Sequence, residues 1–154
     1  LMKGIKGKTG RFTPNNPNKY KGDVKNIIFR SLWERRVMAW LDSEPNVLEW
    51  SSEECIVPYI HPMDNRRHRY FPDFLIKTRG RDGTIKTQMI EVKPYAQTKE
   101  PERPKRKTKR YITEVVTYGQ NQAKWQAARE YCAQRGWEFI ILTEKELFAK
   151  PTAK

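Results

Sequence analysis

A mixed α/β sheet of the α+β kind, with helices on its faces, is the fold the sequence predicts, and three observations carry it. Apolar residues recur at helical spacing in two stretches, about Phe29 to Asp42 and Gly119 to Arg135. Short runs with strand character lie between and after them. Two of those runs flank Gly80-Arg81-Asp82-Gly83, a hairpin turn signal. At 154 residues, with 37% hydrophobic and 32% charged, the chain suits one domain plus some solvated length. The expected division is a basic, flexible N-terminal arm over residues 1–25 and a folded domain over 26–150.

Taken in order, Met2 to Lys25 holds Lys3, Lys6, Lys8, Arg11, Lys19, Lys21 and Lys25 with no acid before Asp23. Such a segment reads as a tail, either solvated or tracking phosphates. The first helix opens at Ser31 and stops before Pro45. Phe29, Trp33, Val37, Met38, Trp40 and Leu41 share one arc, and Arg35, Arg36, Ala39 and Asp42 fill the other. Glu34 falls inside the apolar arc. Its spacing from Ser31 fits a capping box, and its position equally fits a carboxylate aimed inward at a metal.

Val47–Trp50 and Cys55–Ile60 read as strands joined by the acidic turn at Ser51 to Glu54, with Pro58 marking an edge. Arg66-Arg67-His68-Arg69 leads into a strand through Tyr70 to Ile76, and Ile85 to Val92 returns. His61 and His68, seven apart, match no metal spacing and read as surface or phosphate contacts. Lys99 to Arg110, with Lys105, Arg106, Lys107 and Arg110, reads as an exposed basic loop suited to a DNA backbone. In the second helix Lys124, Ala127, Ala128 and Tyr131 share a face, and Gly136 closes it. Trp137 to Leu142 reads as a buried strand, and Thr143 with Glu146 opens a last helix over Glu144 to Ala149.

The net charge of +13 names a class of partner. Self-repulsion on that scale is offset by a polyanion, of which nucleic acid is the commonest. Charge alone leaves the activity open, since structural binding proteins share it. Cys55 and Cys132 make neither a disulfide framework nor a zinc site, and read as small buried hydrophobes. No run reaches the ~18 apolar residues of a membrane span and the N-terminus has no signal core, so a soluble intracellular protein is expected.

Chemistry concentrates in Tyr70 to Pro94. Residues two apart share a strand face, so Glu91 and Lys93 project together with Met89, while Ile90 and Val92 point away. Asp73 shares its side with Phe71 and Leu75. Asp73 and Glu91 oppose each other only if the hairpin is centred on Asp82, which needs an odd loop such as Arg81 to Gly83 or a bulge. Opposed side chains start about 5 Å apart at Cβ, close enough to hold one divalent ion between two carboxylates. Such hard oxygen donors suit Mg²⁺ or Mn²⁺. Lys93 can then position water and steady charge on a phosphorane. The alternative is an Asp73–Lys93 ion pair with Glu91 salt-bridged elsewhere.

At these residues the chain resembles the restriction-endonuclease-like, PD-(D/E)XK nuclease superfamily. Its pattern is helix, three antiparallel strands, helix, strand; Pro72-Asp73 and Glu91-Val92-Lys93 match its motif, and the likeness covers about Phe29 to Leu142. Ser31-Leu32-Trp33-Glu34, Tyr70-Phe71-Pro72-Asp73-Phe74 and Tyr131-Cys132 to Trp137 resemble the TnsA-type transposase endonuclease branch. The whole chain, from Lys3-Gly4-Ile5-Lys6-Gly7-Lys8 onward, is similar to the head-completing nucleases of T-even-like tailed bacteriophages.

The resemblance implies a restriction-endonuclease-like αβββαβ core and a Mg²⁺- or Mn²⁺-dependent DNA nuclease. Asp73 and Glu91 would be metal ligands, Glu34 a further ligand, and Lys93 the catalytic lysine. Either Gln122 or Lys124 would stand near the phosphate, with Arg67 and Arg69 among the further DNA contacts. It implies double-stranded DNA as substrate, action on the packaged head before the tail joins, and portal, neck or tail-joining proteins as partners. The setting would be the host cytoplasm during assembly or the head–tail junction of the virion. No membrane and no small-molecule cofactor are expected. A non-catalytic head or neck DNA-binding protein and a transposase end-cleaving subunit are the alternatives.

Overall fold

The structure is a computed structural model and describes residues 8–149. The chain begins with strand β1 (Gly10–Arg11), two 3-10 turns (Pro17–Lys19 and Val24–Asn26) and strand β2 (Ile28–Phe29), which pairs with β1. Where a flexible arm is expected, residues 8–25 instead lie over the core. Tyr20 is buried against Trp50, Phe12 and Val24 pack on the same cluster, and the Lys21 amide donates to the Trp50 carbonyl at 2.8 Å. Composition hides this, because two aromatic anchors and a few backbone hydrogen bonds suffice to hold a mostly polar segment. The start of the expected arm, with Lys3 and Lys6, lies outside the described residues.

Helix α1 (Leu32–Ser43) begins where the Ser31 hydroxyl accepts from the Glu34 amide at 3.1 Å. It ends at Glu44, held extended ahead of Pro45. Its packed face differs from the expected arc at two positions. Trp40 is 51% exposed, whereas Asp42 is only 3% exposed. The segment ahead of α1 causes the exchange: the amides of Asn15 and Asn16 donate to the Asp42 carboxylate at 2.7 and 2.9 Å. This covers the Asp42 side of the helix.

Strand β3 (Val47–Ser52) leads to β4 (Val57–Ile60) and β5 (Arg67–Tyr70), which pair only with each other as a separate two-stranded ribbon. Strand β6 (Phe74–Arg79) pairs with β3 on one side and with β7 (Ile85–Val92) on the other, both antiparallel. Tyr70 to Ile76 is thus two strands rather than one. Buried Pro72 offers no N–H to a ladder, so the chain bends through Pro72 and Asp73 and changes sheets there.

A 3-10 turn (Tyr95–Thr98) and the exposed basic stretch follow, and then helix α2 (Lys109–Arg135), strand β8 (Glu138–Leu142) and helix α3 (Glu144–Leu147). Strand β8 adds parallel to β7, giving the sheet order β3-β6-β7-β8. It lies at that sheet's edge and is half-buried, less covered than expected.

Helix α2 starts ten residues before the expected point. The Thr108 hydroxyl caps it by accepting from the Tyr111 amide at 3.1 Å, so Lys109 and Arg110 are helical. Periodicity misses this end because Ile112 and Val115 stay exposed. The buried stripe is Asn121, Trp125, Ala128 and Cys132, with Lys124, Ala127 and Tyr131 flanking it half-buried. Gly136 closes the helix in the left-handed region at φ 69°, as expected.

Two cores cover the two faces of the sheet. Val37, Met38 and Leu41 of α1 pack with Val47, Trp50, Phe74, Ile76 and Ile90. Met89 of β7 packs on the other face with Trp125, Ala128 and Cys132 of α2 and with the ribbon's Val57, Tyr59 and Tyr70. The side-chain alternation expected along β7 is therefore present. The order α1-β3-β6-β7-α2-β8 is the expected αβββαβ core, with the β4–β5 ribbon inserted between its first two strands.

Candidate active site

Site geometry starts from the β6–β7 hairpin. Every pair from Phe74↔Ile90 to Arg79↔Ile85 is symmetric about Asp82. The turn is the odd loop that this register requires: the Gly80 amide donates to the Thr84 carbonyl at 2.8 Å, and Gly83 takes φ 82°. Carried one step past Phe74↔Ile90, the register sets Asp73 opposite Glu91. Asp73 sits in the bend rather than the ladder, and its carboxylate accepts from the Val92 amide at 2.7 Å.

Glu91 is buried, 6% exposed, and its two oxygens are engaged separately. One accepts from the Tyr70 hydroxyl at 2.6 Å; the other lies 3.3 Å from the Lys93 ammonium. Burial and the Glu91 charge push the Tyr70 hydroxyl far above its ordinary value, so it stays a donor. Lys124, from α2, places its amine 5.6 Å from the Tyr70 ring centre and 6.0 Å from that of Tyr59. Burial lowers its pKa, against the attraction of Glu91.

Helix α1 delivers Glu34 to the same end of the sheet. The Ser31 hydroxyl both caps the helix and lies 3.1 Å from the Glu34 carboxylate, which also faces the Arg30 amide at 3.5 Å. The expected capping box is only half formed: Ser31 caps the helix through the Glu34 amide, while the Glu34 carboxylate meets the Arg30 amide and the Ser31 hydroxyl rather than the Ser31 amide. Glu34, Glu53 and Asp73 each offer an oxygen within 4.8 Å of the other two. Burial pushes Asp73 well above the usual carboxylate range, and the charges of Glu91 and Glu34 push it further. Glu34 is raised by burial too, with the Glu53 charge adding to the shift.

These residues fit a divalent ion. Several carboxylates converge at one end of a sheet, repel one another and offer only hard oxygen donors, the preference of Mg²⁺ and Mn²⁺. Asp73 and Glu34 bring oxygens together there, whereas Glu91, opposite Asp73 by register, has its two oxygens on Tyr70 and Lys93.

The other candidate residues spread outward. Arg67 and Arg69 are exposed on β5, just ahead of Pro72-Asp73; Lys105, Arg106 and Lys107 are exposed before α2; Arg110 pairs with Glu114 at 3.2 Å on its own helix. Gln122 is half-buried on α2, and its neighbour Gln120 donates to the Tyr59 hydroxyl at 3.0 Å. The rings of His61 and His68 lie 4.6 Å apart and tilted by 46° at the ribbon, and His68 is 2.7 Å from Asp64; neither joins the cluster of Glu34, Glu53 and Asp73.

Two residues escape the sequence reading. Tyr70 is visible only as a tyrosine three before Asp73, with nothing to say it meets Glu91. Glu53 reaches the site because Ser52 pairs with Phe74, and the β4–β5 ribbon inserted between them hides that pairing.

An αβββαβ core with acids at one end of its hairpin strands is the frame of a restriction-endonuclease-like nuclease. The chain matches the TnsA-like endonuclease N-terminal family over residues 44–144, and it belongs to that family. It is also similar to the head completion nuclease of Enterobacteria phage T4, with 37% identity over 145 residues covering 92% of this chain and 94% of the phage protein. The expected fold and the nuclease class are therefore found. The family match includes Glu53, Asp73, Glu91 and Lys93, whereas Glu34 lies ahead of it.

Proposed function

We infer that the protein is a Mg²⁺- or Mn²⁺-dependent DNA nuclease of the PD-(D/E)XK type, acting on double-stranded DNA when a phage head is completed after packaging and before tail attachment. The likeness to the T4 protein supports the setting, which is the host cytoplasm during assembly. Portal, neck or tail-joining proteins are the partners that setting offers. The observation that carries the chemistry is the Asp82-centred register, which sets Asp73 against Glu91 with the Lys93 amine 3.3 Å from Glu91.

Each residue has a task. Asp73 and Glu91, with Glu34 from α1, bind the ion; when bound, the ion supplies Lewis-acid activation of water and neutralises charge on the scissile phosphate. The Val92 amide fixes one Asp73 oxygen and Tyr70 fixes one Glu91 oxygen, so neither carboxylate searches rotamers. Lys93 holds a positive charge where the pentacoordinate phosphate becomes more negative. Lys124 extends that field from α2, and Arg67, Arg69, Lys105, Arg106, Lys107 and Arg110 bind backbone phosphates on either side, with Gln122 as a further contact. The mechanism needs no covalent enzyme intermediate.

Plasmid nicking in Mg²⁺ tests the reading. Wild-type cutting that is lost in Asp73→Ala and in Glu91→Ala supports it. Undiminished cutting in both variants refutes the site. DNA binding without any cutting points instead to a non-catalytic head or neck protein, and cutting only beside a recombinase points to a transposase subunit.

A further inference from the structure

Nothing in the nuclease motif assigns Glu53 a role. Resting on the metal-nuclease reading above, we propose that Glu53 is a further metal-facing carboxylate of this site, held between Glu34 and Asp73 by its backbone and by Arg30, and that it tightens the grip on the divalent ion.

Backbone geometry is the first support. Glu53 follows β3 at φ 54°, in the left-handed region where glycine is the ordinary occupant. Its amide donates to the Asp73 carbonyl at 3.1 Å, so the unfavourable turn is tied directly to the residue at the centre of the site. The second support is convergence: one oxygen each from Glu34, Glu53 and Asp73 falls within a 4.8 Å cluster. Arg30 is the third. Its guanidinium pairs with a Glu53 oxygen while its own amide faces Glu34 at 3.5 Å. One residue just before α1 thus connects two of the three acids.

A purely structural ion pair explains less. The Arg30 side chain is 57% exposed and that of Glu53 31%, and a pair so exposed contributes little to stability. Such a pair requires neither a left-handed glutamate nor two further carboxylates beside it. One guanidinium against three carboxylates leaves an excess of negative charge, which a divalent ion offsets.

The test is Mn²⁺ titration of the full chain, followed by calorimetry, together with thermal melts with and without Mn²⁺. Glu53→Gln keeps an acceptor for Arg30 and removes the charge; Mn²⁺ affinity should fall on the order of tenfold or more. Glu53→Gly relieves the backbone and the repulsion, so it should melt higher than wild type without Mn²⁺ and gain less when Mn²⁺ is added. A stabilising surface ion pair would move that first melt the other way. If both Glu53 variants bind Mn²⁺ as wild type does while Asp73→Asn loses it, Glu53 is only a partner for Arg30 and the metal site stands. If Asp73→Asn also binds Mn²⁺ unchanged, the metal-nuclease reading fails along with the proposal.

Discussion

Asp42 and Asp73 are both aspartates drawn into the body of the protein, and they are treated in opposite ways. Asp42 receives two backbone amides on its two oxygens, at 2.7 and 2.9 Å, and among the described residues it is in no acidic cluster. Asp73 receives one, from Val92, and is set among Glu91, Glu34 and Glu53. The first carboxylate is satisfied by the fold and fastens the N-terminal segment to α1. The second is left short of donors and crowded by like charge, an arrangement that adds nothing to the stability of the chain alone. A ligand that brings the missing positive charge would relieve it, as the proposed function requires.

The contrast is sharpest in paired substitutions. Asp73→Asn keeps the shape and removes the charge of the proposed metal ligand, so Mg²⁺-dependent nicking should fall by about 10³-fold or more, with the metal-free melting temperature unchanged or raised. Lys93→Ala should cost about 10²–10³-fold in cutting through the lost charge near the phosphate. Asp42→Ala should do the reverse. Leaving the Asn15 and Asn16 amides without their carboxylate should destabilise the fold by roughly 2–3 kcal/mol in denaturant unfolding, with cutting per folded molecule preserved. A loss of activity in the folded Asp42 variant would break the comparison.

Smaller effects test how the site is held. Tyr70→Phe removes the 2.6 Å donor to Glu91 and should lower nicking by about 10–100-fold, with DNA binding intact. The pH dependence of metal-free stability should carry the sign of the raised acids. Folded Asp73 and Glu34 hold protons more tightly than in the unfolded chain, so wild type loses stability as pH rises from their ordinary values of 3.8 and 4.5 through the raised ones. Melts of wild type against an Asp73→Asn, Glu34→Gln double variant should coincide near pH 4 and diverge toward neutrality, with the double variant the more stable.

What the sequence makes legible follows from how local each constraint is. The hairpin register is readable because Gly80 to Thr84 fixes it within a few residues, and Glu34 is readable because helical spacing sets it against Ser31. Glu53 is not, since β3 finds β6 only after the β4–β5 ribbon has been skipped. The exchange of Trp40 and Asp42 between faces is equally hidden, because a segment of low apolar content decides which side of α1 is covered. The early start of α2 is lost for a different reason: its first turns do not pack, so hydrophobic periodicity says nothing about them.

On the proposed function, Asp73 and its neighbouring carboxylates hold a divalent ion. Diffraction from crystals soaked in Mn²⁺ tests it most directly. An anomalous peak bonded to the side chains of Asp73 and Glu91 is expected at the end of the β6–β7 hairpin. Fully occupied Mn²⁺ elsewhere on the protein, with no peak at Asp73, would contradict it.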